Sequence, residues 1–217
     1  LLEVSDSKSF KIPNTYDKDY NAFESSRQLR MNVYAVGAML ARVYLYKGDA
    51  DSKAKALTYA REVVESDYFG LHEDNSNPVL FGEHIFGLNV YELDKLLEED
   101  GKYKTQIPEG QLSEAYYILR TKENFDEQYE TGSRGSFDIR ANTAAFKNVS
   151  GDGDKRYKLC LKYDQSKYTS NSSQYSGKNV LPLIRLPEMY YIIAECETDK
   201  EKSAEALNTV MWARGIS

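Results

Sequence analysis

Two pairs of helix-forming segments, far apart in the sequence, constrain the fold more than any other feature. Segment 27–47 is apolar around most of a helical circumference, which predicts a buried helix. Gly48 and Asp49 are expected to end that helix. The amphipathic segment 52–66 then predicts an antiparallel partner. The first helix also carries small residues that would let a neighbouring helix approach closely, namely Ala35, Gly37, Ala38 and Ala41.

The same arrangement returns near the end of the sequence, at 183–215. Pro187 stands at a predicted helix start, where the missing proline N–H costs nothing. We expect Ser203 to be the N-cap of the next helix and Gly215 to be its C′ residue. The long stretch between the pairs, about 68–180, is predicted to be an insertion of short elements.

Within this insertion the signals are shorter. The pattern predicts a small helix over 92–100 and another over 121–130, the second capped by Thr121. Strict alternation over 157–163 predicts a strand at a half-exposed sheet edge. Segment 164–179 is rich in Ser, Asn, Tyr and Lys and is expected to be an exposed loop.

Both helical pairs match the spacing of a tetratricopeptide repeat. In the first pair, Leu40, Ala41 and Tyr44 supply the first helix, and Ala56 and Ala60 supply the second. Such repeats bury their faces by stacking in arrays of at least about three, so other helices should cover these two pairs. The predicted fold is therefore mostly α, a tetratricopeptide-like αα-superhelix of helix-turn-helix pairs with an inserted region of loops and short strands.

We predict that residues 1–217 form a single domain, with helical pairs at about 27–66 and 183–215. The net charge of −6 argues against nucleic-acid binding. Cys160 and Cys196 are too few for a disulfide framework and are expected to be small buried residues. Because the sequence opens without a leader, we expect it to be an internal piece of a longer protein.

Three longer phrases carry a family resemblance. They are NVYAVGAMLARVYLYKGDADSKAKALTYAREVVES at 32–66, VLPLIRLPEMYYIIAEC at 180–196 and EALNTVMWARGI at 205–216. Together with FDIR at 137–140, they resemble the SusD/RagB family of Bacteroidota. The residues that match the family's run near the end of the chain are Arg185, Leu186, Glu188, Met189, Tyr190, Ala206, Leu207, Asn208, Val210, Arg214 and Gly215.

The resemblance implies a non-catalytic protein that captures glycans, or peptides in the RagB branch. Such proteins work with a TonB-dependent, SusC-like transporter in polysaccharide uptake. They are exposed on the cell surface at the outer membrane, held by a lipid anchor that would lie outside this chain. No cofactor, metal or catalytic residue is expected.

Tyrosine is unusually abundant, with 18 tyrosines against 8 phenylalanines and 1 tryptophan. Aromatic rings stack on the C–H faces of sugars, and polar side chains bond to the hydroxyls, so a glycan site would use such residues. Tyrosines on helical faces, and Trp212, are expected to serve packing instead. The candidate binding residues therefore come from the insertion and are Tyr91, Tyr103, Tyr116, Tyr117, Arg120, Tyr168, Asn171 and Tyr175.

Three alternatives stay open. A tetratricopeptide-type adaptor would bind a protein or peptide in the groove of its helices, although an insertion this long is rare in a compact array. A glycoside hydrolase would need a carboxylate pair that counting acids cannot identify. His72 and His84 suggest a metal site, but they lack the usual ligand spacing.

Overall fold

The computed structural model describes most of the chain in seven ranges. They are residues 29–71, 79–93, 95–96, 119–141, 145–150, 156–163 and 178–216. The α-helices in these ranges are α1 (Val33–Lys47), α2 (Ala50–Val64), α3 (Lys122–Tyr129), α4 (Leu186–Cys196) and α5 (Lys200–Ala213). The strands are β1 (His84–Asn89), β2 (Leu119–Thr121), β3 (Phe146–Ser150), β4 (Arg156–Cys160) and β5 (Val180–Arg185). Among the described helices, none has the length and apolarity to cross a membrane.

Helices α1 and α2 form the first hairpin, and local capping sets its turn. Gly48 ends α1 with a φ of 79°, a left-handed conformation that glycine adopts without strain. The Asp49 side chain then accepts a hydrogen bond from the Ser52 amide and caps α2. Helix α2 therefore begins at Ala50, two residues before the predicted start. Fully buried alanines line the hairpin core and let the helices pack closely, namely Ala35, Ala38, Ala41, Ala56 and Ala60.

Helices α4 and α5 form the second hairpin. Pro187 lies in the first turn of α4, as predicted, and Gly215 follows α5 with a φ of 75°. The predicted cap of α5 was wrong. Asp199 caps the helix by accepting from the amides of residues 201 and 202, while the Ser203 hydroxyl donates to the carbonyl of Ala194 at 2.6 Å. Ser203 therefore connects α5 to α4 through a hydrogen bond and does not cap α5.

The two hairpins pack against each other, with α2 against α4. Their contact has a continuous apolar core that includes Val63, Met189 and Ile192. Arginines of the first hairpin bind carboxylates of α4 at its edges. Arg42 contacts both carboxylate oxygens of Glu188, at 2.6 and 2.7 Å, and donates to the carbonyl of Leu183 at 3.1 Å. The predicted tetratricopeptide-like, mostly helical fold is confirmed.

The described part of the insertion contains two small antiparallel sheets. Strand β1 pairs with β5, which runs directly into α4. The other sheet has the order β2-β4-β3, so β4 is central and not the predicted edge strand. Thr121 caps α3 as predicted, and this helix packs on the second sheet through Phe125, whose ring lies 4.8 Å from that of Phe146.

A buried ion pair joins the insertion to the end of α5. The Arg214 guanidinium donates to both oxygens of Glu83, at 2.5 and 2.8 Å. The two side chains are 4% and 0% exposed. The Arg214 carbonyl also accepts a hydrogen bond from the Ile139 amide at 3.0 Å, so one residue holds two segments of the insertion against the second hairpin.

Replacement of Glu83 by Gln is expected to lower the free energy of unfolding by about 3–5 kcal/mol, because it removes the charge that pairs with the buried Arg214 guanidinium. Urea denaturation measures this loss. The matched control is Glu92→Gln, which breaks the solvent-exposed pair with Lys95. The control should cost less than about 1 kcal/mol. Equal losses in the two variants would show that the buried pair does not anchor the insertion.

Gly215→Ala is expected to destabilise the protein by more than about 1 kcal/mol. A Cβ there would lie 2.5 Å from the carbonyl oxygen of Phe137, and the backbone is left-handed. Gly132→Ala is the control, since its Cβ would meet no atom within 4 Å. Thermal unfolding should show a lowered midpoint only for Gly215→Ala. An unchanged midpoint would contradict the close approach of these two segments.

Candidate functional site

A cleft of about 540 Å³ opens where the two hairpins and the insertion meet. It lies between the end of α2, the first turns of α4 and the last turn of α5. The lining residues are Val64, Asp67, Phe69, Gly70, Leu71, Ile139, Leu186, Tyr190, Thr209, Trp212, Ala213 and Gly215. Most are apolar or aromatic, with a few polar groups among them, which is the usual composition of a small-ligand site.

The turn after α2 supplies one side of the cleft. Asp67 has a φ of 57°, an uncommon conformation for a residue with a side chain, and it is exposed. Phe69 is only 6% exposed and meets the Tyr34 ring edge-to-face, with centroids 5.8 Å apart. The buried Phe69 therefore anchors the turn, and the turn presents the Asp67 carboxylate to solvent at the cleft.

The opposite side comes from α4. Leu186 is buried and forms part of the apolar floor of the cleft. Tyr190 lies one turn later and is half-buried. Burial raises the pKa of Tyr190, and the negative charge of Asp67 raises it further. The Tyr190 phenol is therefore protonated at neutral pH, so its hydroxyl is available as a hydrogen-bond donor.

Trp212 gives the cleft its largest aromatic surface. The prediction that it serves packing was wrong, because its side chain is 64% exposed. The buried stripe of α5 consists of Ala206, Val210 and Ala213, spaced for one helical face. Trp212 lies off that stripe. The spacing of these small residues is the sequence signal that would have placed the indole outside the core.

The segment after α3 closes the cleft through Ile139. The Asp138 carboxylate, 2% exposed, accepts hydrogen bonds from Nε and Nη2 of Arg140. Since the Ile139 amide is bound to the carbonyl of Arg214, the position of this wall depends on the end of α5. Within the FDIR motif at 137–140, Ile139 therefore forms one wall of the cleft.

The candidate residues predicted from sequence lie elsewhere. Tyr91 follows β1 and is 84% exposed. On either side of Tyr91, backbone amides donate hydrogen bonds to Asn179. The Val90 amide donates to the Asn179 backbone carbonyl at 2.7 Å, and the Leu93 amide donates to the Asn179 side-chain oxygen at 3.2 Å. The structure thus brings Tyr91 next to the end of the predicted 164–179 loop.

Arg120 lies in β2, in the other sheet, opposite Lys158 of β4. The remaining candidates, Tyr103, Tyr116, Tyr117, Tyr168, Asn171 and Tyr175, lie outside the described residues. Two of the tyrosines predicted to serve packing, Tyr44 and Tyr59, do so, whereas Tyr190 lines the cleft. Tyr44 and Tyr59 stack with centroids 5.9 Å apart across the first hairpin.

His84 is a buried structural residue. It is 1% exposed, and its Nε2 lies 2.9 Å from the carbonyl oxygen of Val79. Burial lowers the pKa of His84 to about 4, so the imidazole is neutral at pH 7. Across the described ranges, no group of three His, Cys, Asp or Glu side chains could hold a metal ion. His72 lies outside these ranges.

Stability is expected to fall as the pH is lowered from about 6.5 to about 4. In that window the unfolded chain binds a proton at His84 that the folded chain does not, so acid favours unfolding. Urea midpoints at several pH values measure this dependence. The His84→Phe variant should show a flatter pH profile over the same window. An unaltered slope would contradict a depressed pKa for this histidine.

Comparison with known proteins identifies the fold. No family model matches the sequence, and no curated protein does. A SusD superfamily protein from Parabacteroides distasonis superposes with a TM-score of 0.57 and 19% identity, over 88% of this chain and 46% of that one. A SusD-like carbohydrate binding protein from Bacteroides vulgatus gives 0.54 and 20%, over 95% and 40%. B. fragilis NanU gives 0.54 and 18%, over 87% and 44%.

The chain therefore has the fold of SusD superfamily proteins, as the resemblance implied. It spans less than half of the length of each of these structures.

Proposed function

We propose that this chain belongs to a non-catalytic, cell-surface glycan-binding protein, and that a sugar ring binds in the cleft against Trp212. The observation that carries the proposal is the exposed indole, set beside a phenol, a carboxylate and a hydroxyl in one cleft. The ring face of a pyranose stacks on an aromatic plane, while its hydroxyls need donors and acceptors at the rim. Tyr190 can donate, and Asp67 and Thr209 can accept.

The cleft suits binding better than hydrolysis. Glycoside hydrolysis uses two carboxyl groups about 5–9.5 Å apart on either side of the scissile bond. Asp67 is the single acid among the described lining residues. The cleft volume of about 540 Å³ lies within the usual range for ligand pockets.

The wider function is proposed by analogy with proteins of this fold. One solved neighbour is itself described as a SusD-like carbohydrate binding protein. By this analogy the full protein would be held at the outer membrane by a lipid anchor outside this chain, and would pass glycans to a SusC-like TonB-dependent transporter. Tyr91, with the candidate residues of the insertion, would offer further contacts to a long glycan.

Replacement of Trp212 by Ala is expected to weaken oligosaccharide binding at least tenfold, because the stacking surface is lost. Isothermal titration against a panel of oligosaccharides measures the loss of affinity. The Trp212→Phe variant should retain part of the affinity, because it keeps an aromatic ring. Tyr46→Ala is the matched control. Tyr46 is an aromatic residue of α1 that is 95% exposed, and it does not line the cleft.

Other outcomes would redirect the proposal. Loss of binding in Tyr91→Ala but not in Trp212→Ala would place the site in the predicted loops. The hairpins stack directly, as the adaptor alternative also requires. Binding of peptides with no binding of any oligosaccharide would therefore favour an adaptor and would contradict glycan capture.

A further inference from the structure

We infer that the cleft discriminates by charge, binding amino sugars and neutral sugars in preference to sugars that carry a carboxylate. This inference rests on the proposed function of the same cleft. Its basis is the position of Asp67, the single charged side chain among the described lining residues. An anionic sugar stacked on Trp212 would share the cleft with this carboxylate, whereas a protonated amine would be attracted to it.

The arginines near the cleft do not offset this charge. Four arginines of the described chain lie within three positions of a lining residue, and three of them hold a carboxylate of their own. The pairs are Arg61 with Glu197, Arg140 with Asp138 and Arg214 with Glu83. The charge of the fourth, Arg185, acts on His84 and Tyr163, neither of which lines the cleft. A guanidinium paired with a carboxylate gives little net attraction to an incoming anion, so the cleft contrasts with an anion site, where unpaired arginines bind the ligand.

Asp67 is held where it can act on a ligand. The residue is exposed at the cleft with a left-handed backbone, and the buried Phe69 fixes the turn two residues later. In the described part of the chain, no Lys or Arg forms an ion pair with Asp67. Its charge reaches the Tyr190 phenol across the cleft, since it contributes to the raised pKa of that tyrosine.

The size of the effect follows from Coulomb's law. Two unit charges a few ångströms apart near a solvated surface change affinity by roughly three- to tenfold at low ionic strength. Salt screens this interaction, so the preference should shrink as salt is added. Stacking on the indole does not depend on salt. A salt titration therefore separates the stacking contribution to affinity from the contribution of the Asp67 charge.

Trp212 is the only tryptophan of the chain, so its fluorescence reports directly on the cleft. The experiment titrates the protein at about pH 6, where glucosamine amines are protonated and glucuronic acid is ionised, and at low salt, with three β-1,4-linked oligosaccharides of equal length. These are built of glucose, of glucosamine and of glucuronic acid. We expect the glucosamine oligomer to bind most tightly and the glucuronic acid oligomer to bind roughly three- to tenfold more weakly than the glucose oligomer.

Asp67→Asn should bring the three affinities within about twofold of each other, because it removes the charge and keeps the shape. Asp51→Asn is the control, since it makes the same charge change at the far end of α2, about 20 Å along the helix axis. It should leave the ranking unchanged. Equal affinities in the unmodified protein, or an unchanged ranking in Asp67→Asn, would overturn the charge inference while glycan binding stands. No binding of any of the three, together with none across the wider panel, would instead contradict the proposed function.

Discussion

The buried pair of Glu83 and Arg214 is the interaction on which the arrangement of the site depends. Removing two charges from water is costly, and that cost is met only when each charge has its partner in good geometry. Here the two contacts of 2.5 and 2.8 Å satisfy that requirement and fix the start of β1 against the end of α5. Through its carbonyl, Arg214 also positions Ile139. The walls formed by the end of α5 and by Ile139 thus share one buried electrostatic anchor.

Around that anchor, close helix packing provides the scaffold. Alanines at the centre of the first hairpin allow α1 and α2 to approach, and α2 then packs on α4 through larger apolar residues. Arg42 adds a directed contact at the edge by binding Glu188 with two hydrogen bonds. Apolar burial stabilises this contact without fixing its register, whereas paired hydrogen bonds set the relative position of the hairpins. The cleft lies at the seam between them.

Much of the fold was predictable because its signals are local. Gly48, Pro187 and Gly215 act through their own backbone geometry, and Thr121 acts through an amide three residues away. Two predictions about these elements failed, for different reasons. Asp199 proved to be the cap in place of Ser203, since several polar residues stand together before α5. Strand β4 became central because β2 and β3 pair on both sides of it, and alternation alone does not report the number of partners.

The sequence by itself determined the class of fold, the positions of the hairpins and the packing role of Tyr44 and Tyr59, because helical periodicity and capping depend on residues within a few positions. Tertiary structure alone decided which groups share the cleft. Asp67, Tyr190 and Trp212 are separated by more than a hundred positions at the widest, and no local pattern links them. Partner choice among the arginines was decided in the same way. It selected Glu83 for Arg214 and left Asp67 as the charged residue among the described residues that line the cleft, because ion pairs form between neighbours in space.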